Sequence, residues 1–193
     1  TNQIVELYDT IAVEYDQKRK FVRSEVKEWA EELRIMNHEL GIRVLEIGCG
    51  GGEHAALALA RGSFYTGLDV SPRMVELARF LVRDERARFA VGEAADLPFA
   101  DASFDAVWVV AVLHHVPSQE KRQAAFREIA RVLKVGGRAY LFNWNLFAWQ
   151  WLKRYRHFGM LFGLRPPGCD RRDVFIPWKS PEHGVLKRYY HAF

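Results

Sequence analysis

Apolar and polar positions fall in blocks whose period switches repeatedly between helical and extended. Residues 8–15 and 22–40 carry apolar side chains at helical spacing, with Ser24 as the N-cap of the second stretch. A short apolar run over 42–47 that ends in glycines predicts a buried strand. The alanine- and leucine-rich residues 53–61 predict a helix. Residues 64–69 predict a second strand. Ser71 followed by Pro72 places a cap before proline at the first helical position, opening a helix to about residue 83. Residues 88–91 form a short third strand and 104–112 a longer, almost wholly apolar fourth. Ser118 caps a helix reaching residue 133, which Gly136 and Gly137 are expected to end, and 138–144 form a fifth strand. Strands apolar on both faces, alternating with helices, indicate an α/β fold: a mostly parallel sheet with helices on both faces.

Such sheets bind ligands at the carboxyl ends of their strands, near the reversal in strand order. The chemistry-bearing residues fall there. Gly48, Gly50 and Gly52 follow the first strand in a G-x-G-x-G spacing, with Glu46 two residues ahead. The dinucleotide fingerprint G-x-G-x-x-G instead presents a helix N-terminus to a pyrophosphate. S-adenosylmethionine has no phosphate, and its ammonium and sulfonium are cationic, so an acid beside the loop suits it better. By itself a glycine loop is also compatible with a plain tight turn. Asp69 ends the second strand, next to Val70, and can accept both hydroxyls of a ribose; a loop aspartate near the cap Ser71 is the alternative. After the third strand, Glu93 and Asp96 are candidate acceptors for an adenine amino group, with Ala94 and Leu97 packing on the ring. Asp96 could equally be a turn residue.

Composition narrows the class. The chain has 193 residues and two cysteines, Cys49 and Cys169, which form neither a disulfide framework nor a metal-spacing pattern. No apolar run has the roughly 18 residues a membrane span needs, and residues 1–20 are too polar for a signal peptide, so a cytoplasmic setting without membrane insertion is expected. The net charge of +4 is uneven. Residues 1–150 hold 19 Lys and Arg against 21 Asp and Glu, whereas 151–193 hold 9 against 3. That basic C-terminal stretch suits a phosphate backbone or is a solvated face. Aromatics from Trp144 to Phe162, interleaved with Lys153, Arg154 and Arg156, suit base stacking, the buried face of a helix, or a membrane interface.

Residues 44–52, then Leu97-Pro98-Phe99, Ser103-Phe104-Asp105 and the run from Arg131 to Arg138, resemble the class I S-adenosylmethionine-dependent methyltransferases. A narrower resemblance is to the tRNA wobble-uridine (carboxymethyluridine-34) methyltransferases. It is carried by Tyr8-Asp9-Thr10-Ile11-Ala12, Tyr15 to Arg19, Ala111-Val112-Leu113-His114-His115, Phe142-Asn143-Trp144, the run from Asp173 to Trp178, and Arg188-Tyr189-Tyr190-His191. The resemblance implies a Rossmann-like domain with S-adenosylmethionine as cofactor and S-adenosylhomocysteine as product. It implies a tRNA acceptor whose carboxymethyl group becomes a methyl ester, and a small zinc-binding activator subunit on the edge strand near Arg88 and Val91. Ala111 is placed with the cofactor. Arg19, His115 and Trp144 would position the acceptor, with Tyr189 and Arg188 as weaker substrate contacts. A carboxylate acceptor is already ionised, so no general base is required. His115 and Trp144 can instead be structural.

The organisation expected is one methyltransferase domain: N-terminal helices over the cofactor site in 1–40, the cofactor core in 41–144, and a basic aromatic substrate side in 145–193. Two departures from the family pattern stand out. Class I sheets usually close with an antiparallel pair of strands, which is expected to be missing or shortened here. Glu93 stands where an aspartate is more common. A small-molecule, lipid or quinone methyltransferase and a non-catalytic scaffold of the same fold are the competing readings.

Overall fold

Side-chain alternation along β1 (Arg43–Ile47) and β4 (Phe104–Val110) divides the core in two. The computed structural model describes residues 2–18, 23–36, 41–60, 62–145, 170 and 172–193. Val44, Ala106, Trp108 and Val110 face α2 (Ser24–Met36) and α3 (Ala55–Leu59), packing on Val26, Ala30, Leu33 and Ala58. Leu45, Ile47, Val107 and Val109 face the other way, onto Ala125, Ile129 and Val132 of α5 (Gln119–Val132). Strands buried on both faces are what an all-parallel sheet requires. With β2 (Phe64–Asp69), β3 (Ala87–Val91) and β5 (Leu133–Phe142) the sheet runs β3-β2-β1-β4-β5, every pair parallel. Strand order reverses between β1 and β4, which puts the ligand crevice at their carboxyl ends.

α4 (Pro72–Leu81) starts at the cap Ser71, whose hydroxyl accepts from the Met74 amide at 3.1 Å. The same hydroxyl donates to Asp9 of α1 (Asn2–Lys18), and Asp9 also accepts from the Arg73 amide at 3.2 Å. One carboxylate thus ties α1 across the positive end of α4. No described helix is long and apolar enough to cross a membrane.

Three local expectations change. Ser24 is the first residue of α2 rather than its cap: the Lys27 amide donates to the Arg23 carbonyl, and the Ser24 hydroxyl turns to Glu25. Gly136 and Gly137 do not end α5, because the chain passes from Val132 straight into β5. There Phe104 pairs with Leu133 and Ala106 with Arg138, so residues 134–137 bulge out of register. The main sheet stops at five strands, without the closing pair, as expected, but the C-terminal segment is not strandless: β6 (Asp173–Ser180) and β7 (Gly184–His191) form an antiparallel hairpin. It makes a sheet of its own and does not extend the five strands. Pro177, within β6, is tolerated because a two-stranded ribbon always has an outer edge.

The hairpin docks beside the 3₁₀ turn Leu113–His115 through polar contacts. Buried Asp173 accepts from the Tyr189 hydroxyl at 2.8 Å, from His191 Nδ1 at 2.7 Å and from the Asp170 amide at 2.7 Å. Arg122 of α5 donates to Asp170 at 2.9 Å and to the Val116 carbonyl at 3.1 Å.

The loop between β3 and β4 is fastened to α5 by charge. Glu128 accepts from the Leu97 amide at 2.8 Å and from Arg131, while Arg131 reaches Asp101 at 2.7 Å and the carbonyls of Phe99 and Leu97. The Arg131 hydrogen bond holds the Glu128 carboxyl down at about 2. A carboxyl whose pKa is lowered on folding stabilises the fold above its unfolded pKa and loses that contribution as pH falls towards the folded value. Glu128→Gln is therefore expected to be less stable than the parent at pH 7 but to lose less on going from pH 5 to pH 2, as read from urea unfolding midpoints. Parallel pH profiles would remove Glu128 as the acid-sensitive fastening.

Candidate cofactor and acceptor site

A cleft enclosing about 850 Å³, part of it open to solvent, lies over the carboxyl ends of β1, β2 and β4. Its floor is the glycine loop. Gly48 has φ +71°, and a Cβ there would lie 2.2 Å from Val112 Cγ2, so no side chain fits without moving the strand end. The Gly48 and Cys49 amides both donate to the Leu68 carbonyl, folding the loop against β2.

Asp69 lines the cleft and fixes this loop. Its Oδ2 accepts from the Gly50 amide at 3.0 Å and its Oδ1 from the Ser71 amide at 2.9 Å. Burial outweighs those hydrogen bonds and pushes the Asp69 carboxyl up to about 6. Each oxygen can accept more than one donor, so a ribose diol can still bind.

Of the residues singled out from sequence, Gly48, Gly50, Asp69, Val70, Glu93, Ala94, Ala111 and His115 all line this cleft. Glu46, Gly52, Asp96 and Leu97 do not. Strand parity places Glu46 on the α3 face, only 1% exposed, where His54 holds one oxygen at 2.6 Å and the Tyr65 hydroxyl donates to the other at 2.5 Å. Gly52 packs towards Val82 and Phe89. Leu97 is core, and Asp96 lines a shallow neighbouring groove. Trp144 packs against the hairpin cluster of Val174, Ile176, Tyr190 and Ala192. Tyr189 turns its hydroxyl to Asp173. Arg19, Cys169 and the aromatic and basic residues 146–169 lie outside the described residues.

The sequence reading missed part of the wall. Ile4, Tyr8 and Tyr15 of α1 line the cleft from above, and their spacings of four and seven, one helical stripe, were the available signal. Val116, Pro117 and Lys121 close the side nearest α5. Two residues on this rim hold positive φ without being glycine: Ala111 (+58°) and Ser118 (+62°, ψ 148°). Conformations of this kind cost about 1–3 kcal/mol and cluster at functional sites.

His115 joins the cleft to the hairpin. Its Nδ1 lies 2.8 Å from the Tyr189 carbonyl, which can only accept, so Nδ1–H donates, and Nε2 meets the Tyr8 hydroxyl at 3.0 Å. Burial raises the Tyr8 phenol well above its ordinary value, so that hydroxyl keeps its proton. Behind His115, the Tyr190 ring lies 4.3 Å away and stacks on His114 at 4.9 Å. Arg188 sits in this layer, 4% exposed, its guanidinium 5.3 Å from the Tyr190 ring centre and 4.7 Å from that of Trp178. Among the described residues its Nε and Nη1 have no hydrogen-bond partner.

A methyltransferase-domain family model matches residues 45–141, half of the chain and nearly all of this sheet. The chain belongs to the methyltransferase-domain family. With the family goes its cofactor, S-adenosylmethionine. The glycine floor, which a Cβ would block, and the buried carboxylate of Asp69 fit its amino-acid and ribose portions. Three relatives frame the rest. A 27-O-demethylrifamycin SV methyltransferase of Amycolatopsis mediterranei is 42% identical over 52% of this chain and 38% of its own length. The human protein named tRNA methyltransferase 9B is 28% identical over 79% of this chain and 29% of its own. A solved complex of the Haloferax volcanii Trm112 methyltransferase activator with a methyltransferase matches at 31% identity and a TM-score of 0.55, covering 68% of this chain and 56% of that one. The chain thus spans well under half the length of either curated relative.

Two outcomes follow from the geometry. Gly48→Ala should weaken S-adenosylhomocysteine binding by more than about tenfold, through the clash with Val112 and the strained φ; calorimetry showing parent affinity would mean the loop is not the floor of the site. Ribose hydroxyls donate to an ionised carboxylate, so binding must lower the Asp69 pKa. Affinity should then be flat above about pH 7 and fall as pH drops through 6, approaching about tenfold per unit. Asp69→Asn should bind more weakly and lose that dependence, and an unchanged profile in the variant would remove the assignment.

Proposed function

We propose that this protein transfers the methyl group of S-adenosylmethionine to the carboxylate of a carboxymethyl group on the wobble uridine of tRNA, giving a methyl ester. The observation that carries the reading is Arg188. An arginine stays charged at any working pH, and a buried cation without an anion costs several kcal/mol. Its unpartnered Nε and Nη1 behind the cleft wall favour an acceptor that brings a negative charge. When bound, the cofactor supplies a methyl already activated by its sulfonium. The chain has then to bring an anion alongside it and exclude water. Arg188 offers the counter-charge. Tyr8, Tyr15 and His115 line the cleft on this side, and the rings of Trp178 and Tyr190 pack behind them. Trp144 and Tyr189 act one step back, by holding the hairpin in place. Arg19 and the basic residues 146–169 are proposed as further contacts to the acceptor and to RNA phosphates.

A Trm112-type activator is proposed on β3. It is an edge strand: among the described residues it pairs only with β2. Val91 is exposed on it, and Phe80 and Leu81 are exposed on α4, which packs against it. Arg79 of α4 donates to the Phe89 carbonyl at 2.7 Å, so a strand adding here has to displace that guanidinium. The rifamycin relative favours a second reading, a small hydroxylated acceptor, for which an unpaired arginine has no use.

The test is incubation with methyl-labelled S-adenosylmethionine and bulk tRNA lacking the ester, with and without a Trm112-type activator. Label is expected in a base-labile ester of a wobble nucleoside. Arg188→Met should cut that transfer by about 100-fold or more, the scale of removing one partner of a buried charge pair, with S-adenosylhomocysteine affinity within about twofold of the parent. Absence of label from tRNA nucleosides under both conditions would overturn the acceptor, and an unaffected Arg188→Met would overturn the role of the cation.

A further inference from the structure

We infer that Lys121 is a positioning residue for cofactor recognition, holding Glu93 in place to accept the adenine amino group; the inference rests on Glu93 being that acceptor. Both residues line the cleft, and Lys121 Nζ lies 2.9 Å from Glu93 Oε2. They come from opposite walls: Glu93 from the loop after β3, Lys121 from the first turn of α5. Glutamate has one more rotatable bond than aspartate, and an unrestrained arm would lose side-chain entropy on meeting a ligand. Here it is pinned at both ends. The Asp96 amide donates to the Glu93 carbonyl at 3.1 Å, fixing the backbone, and Lys121 fixes the carboxylate.

The position of Lys121 is itself built at a cost to the backbone. Its amide is capped by the Ser118 hydroxyl at 3.3 Å, and Ser118 holds a φ and ψ ordinarily left to glycine. That kink turns the chain from the cleft wall at Val116 and Pro117 into α5, so that the first turn of the helix faces the loop after β3. The ion pair is 40% exposed on both sides and contributes little to stability, so removing it tests recognition without unfolding the protein.

The experiment compares affinities for S-adenosylhomocysteine and its 6-desamino analogue, in which hydrogen replaces the amino group. The parent should prefer the amino compound. Lys121→Met should lower that preference roughly tenfold, mainly by weakening the amino compound, with Lys121→Arg restoring it. Glu93→Gln should lower it comparably, and the double variant no further, because the two residues act as one unit. A Lys121→Met preference equal to the parent's, with Glu93→Gln lowering it, overturns the inference alone. A parent without preference, or Glu93→Gln without effect, overturns the adenine assignment on which it rests. A merely structural Lys121 would shift both ligands equally and leave the ratio unchanged.

Discussion

The two oxygens of Asp69 hold together what three separate parts of the chain contribute. One takes the Gly50 amide and so fixes the glycine loop after β1; the other takes the Ser71 amide and so fixes the entry to α4. Ser71 in turn is tied to Asp9, which brings α1 and its tyrosines over the cleft. The carboxylate therefore acts before any ligand arrives, and its burial raises its pKa as the consequence of being placed where a diol can reach it. A group already committed to two amides is held in one orientation, which is the sense in which this wall of the cleft is preorganised.

Charge is arranged unevenly around the cleft. Acids lie at the cofactor end: Asp69 at the wall and Glu46 behind the loop, the latter held by His54 and Tyr65 and acting without touching the cleft. Behind the opposite wall, beyond His115, the cation of Arg188 lies among aromatic rings. In a water-poor interior such opposed fields act over several ångströms. The two halves are joined through His115, whose two nitrogens are engaged by α1 on one side and by β7 on the other.

Much of the cleft lining was legible because strand ends and glycine spacing are local. Gly48, Gly50, Asp69 and Ala94 follow their strands directly, and the topology carries them to one place. Glu46 misleads for an equally local reason: one residue inside a strand, parity decides the face, and its face belongs to α3. Leu97 misleads because the Arg131 and Glu128 network turns that loop inward, and the network joins residues about thirty apart. Lys121 was invisible because its placement depends on the backbone turn at Ser118. The hairpin was hidden by Pro177 and by the expectation that any closing strands would join the main sheet. The order of secondary structure says which strands exist, but not which sheet each enters.

The separateness of that hairpin divides the stability of the molecule unevenly. Two strands alone are marginal in water, and these rest on the body through side-chain hydrogen bonds, rings and one arginine of α5 rather than through a shared ladder. Such a piece can open as its own cooperative unit at a free energy below that of global unfolding. Opening would carry away Arg188 and Tyr190 while leaving the glycine loop and Asp69 in place. The cleft would then keep its glycine loop and Asp69 but lose the layer that the hairpin places behind His115, so that its complete lining would be set by the docking of a hairpin.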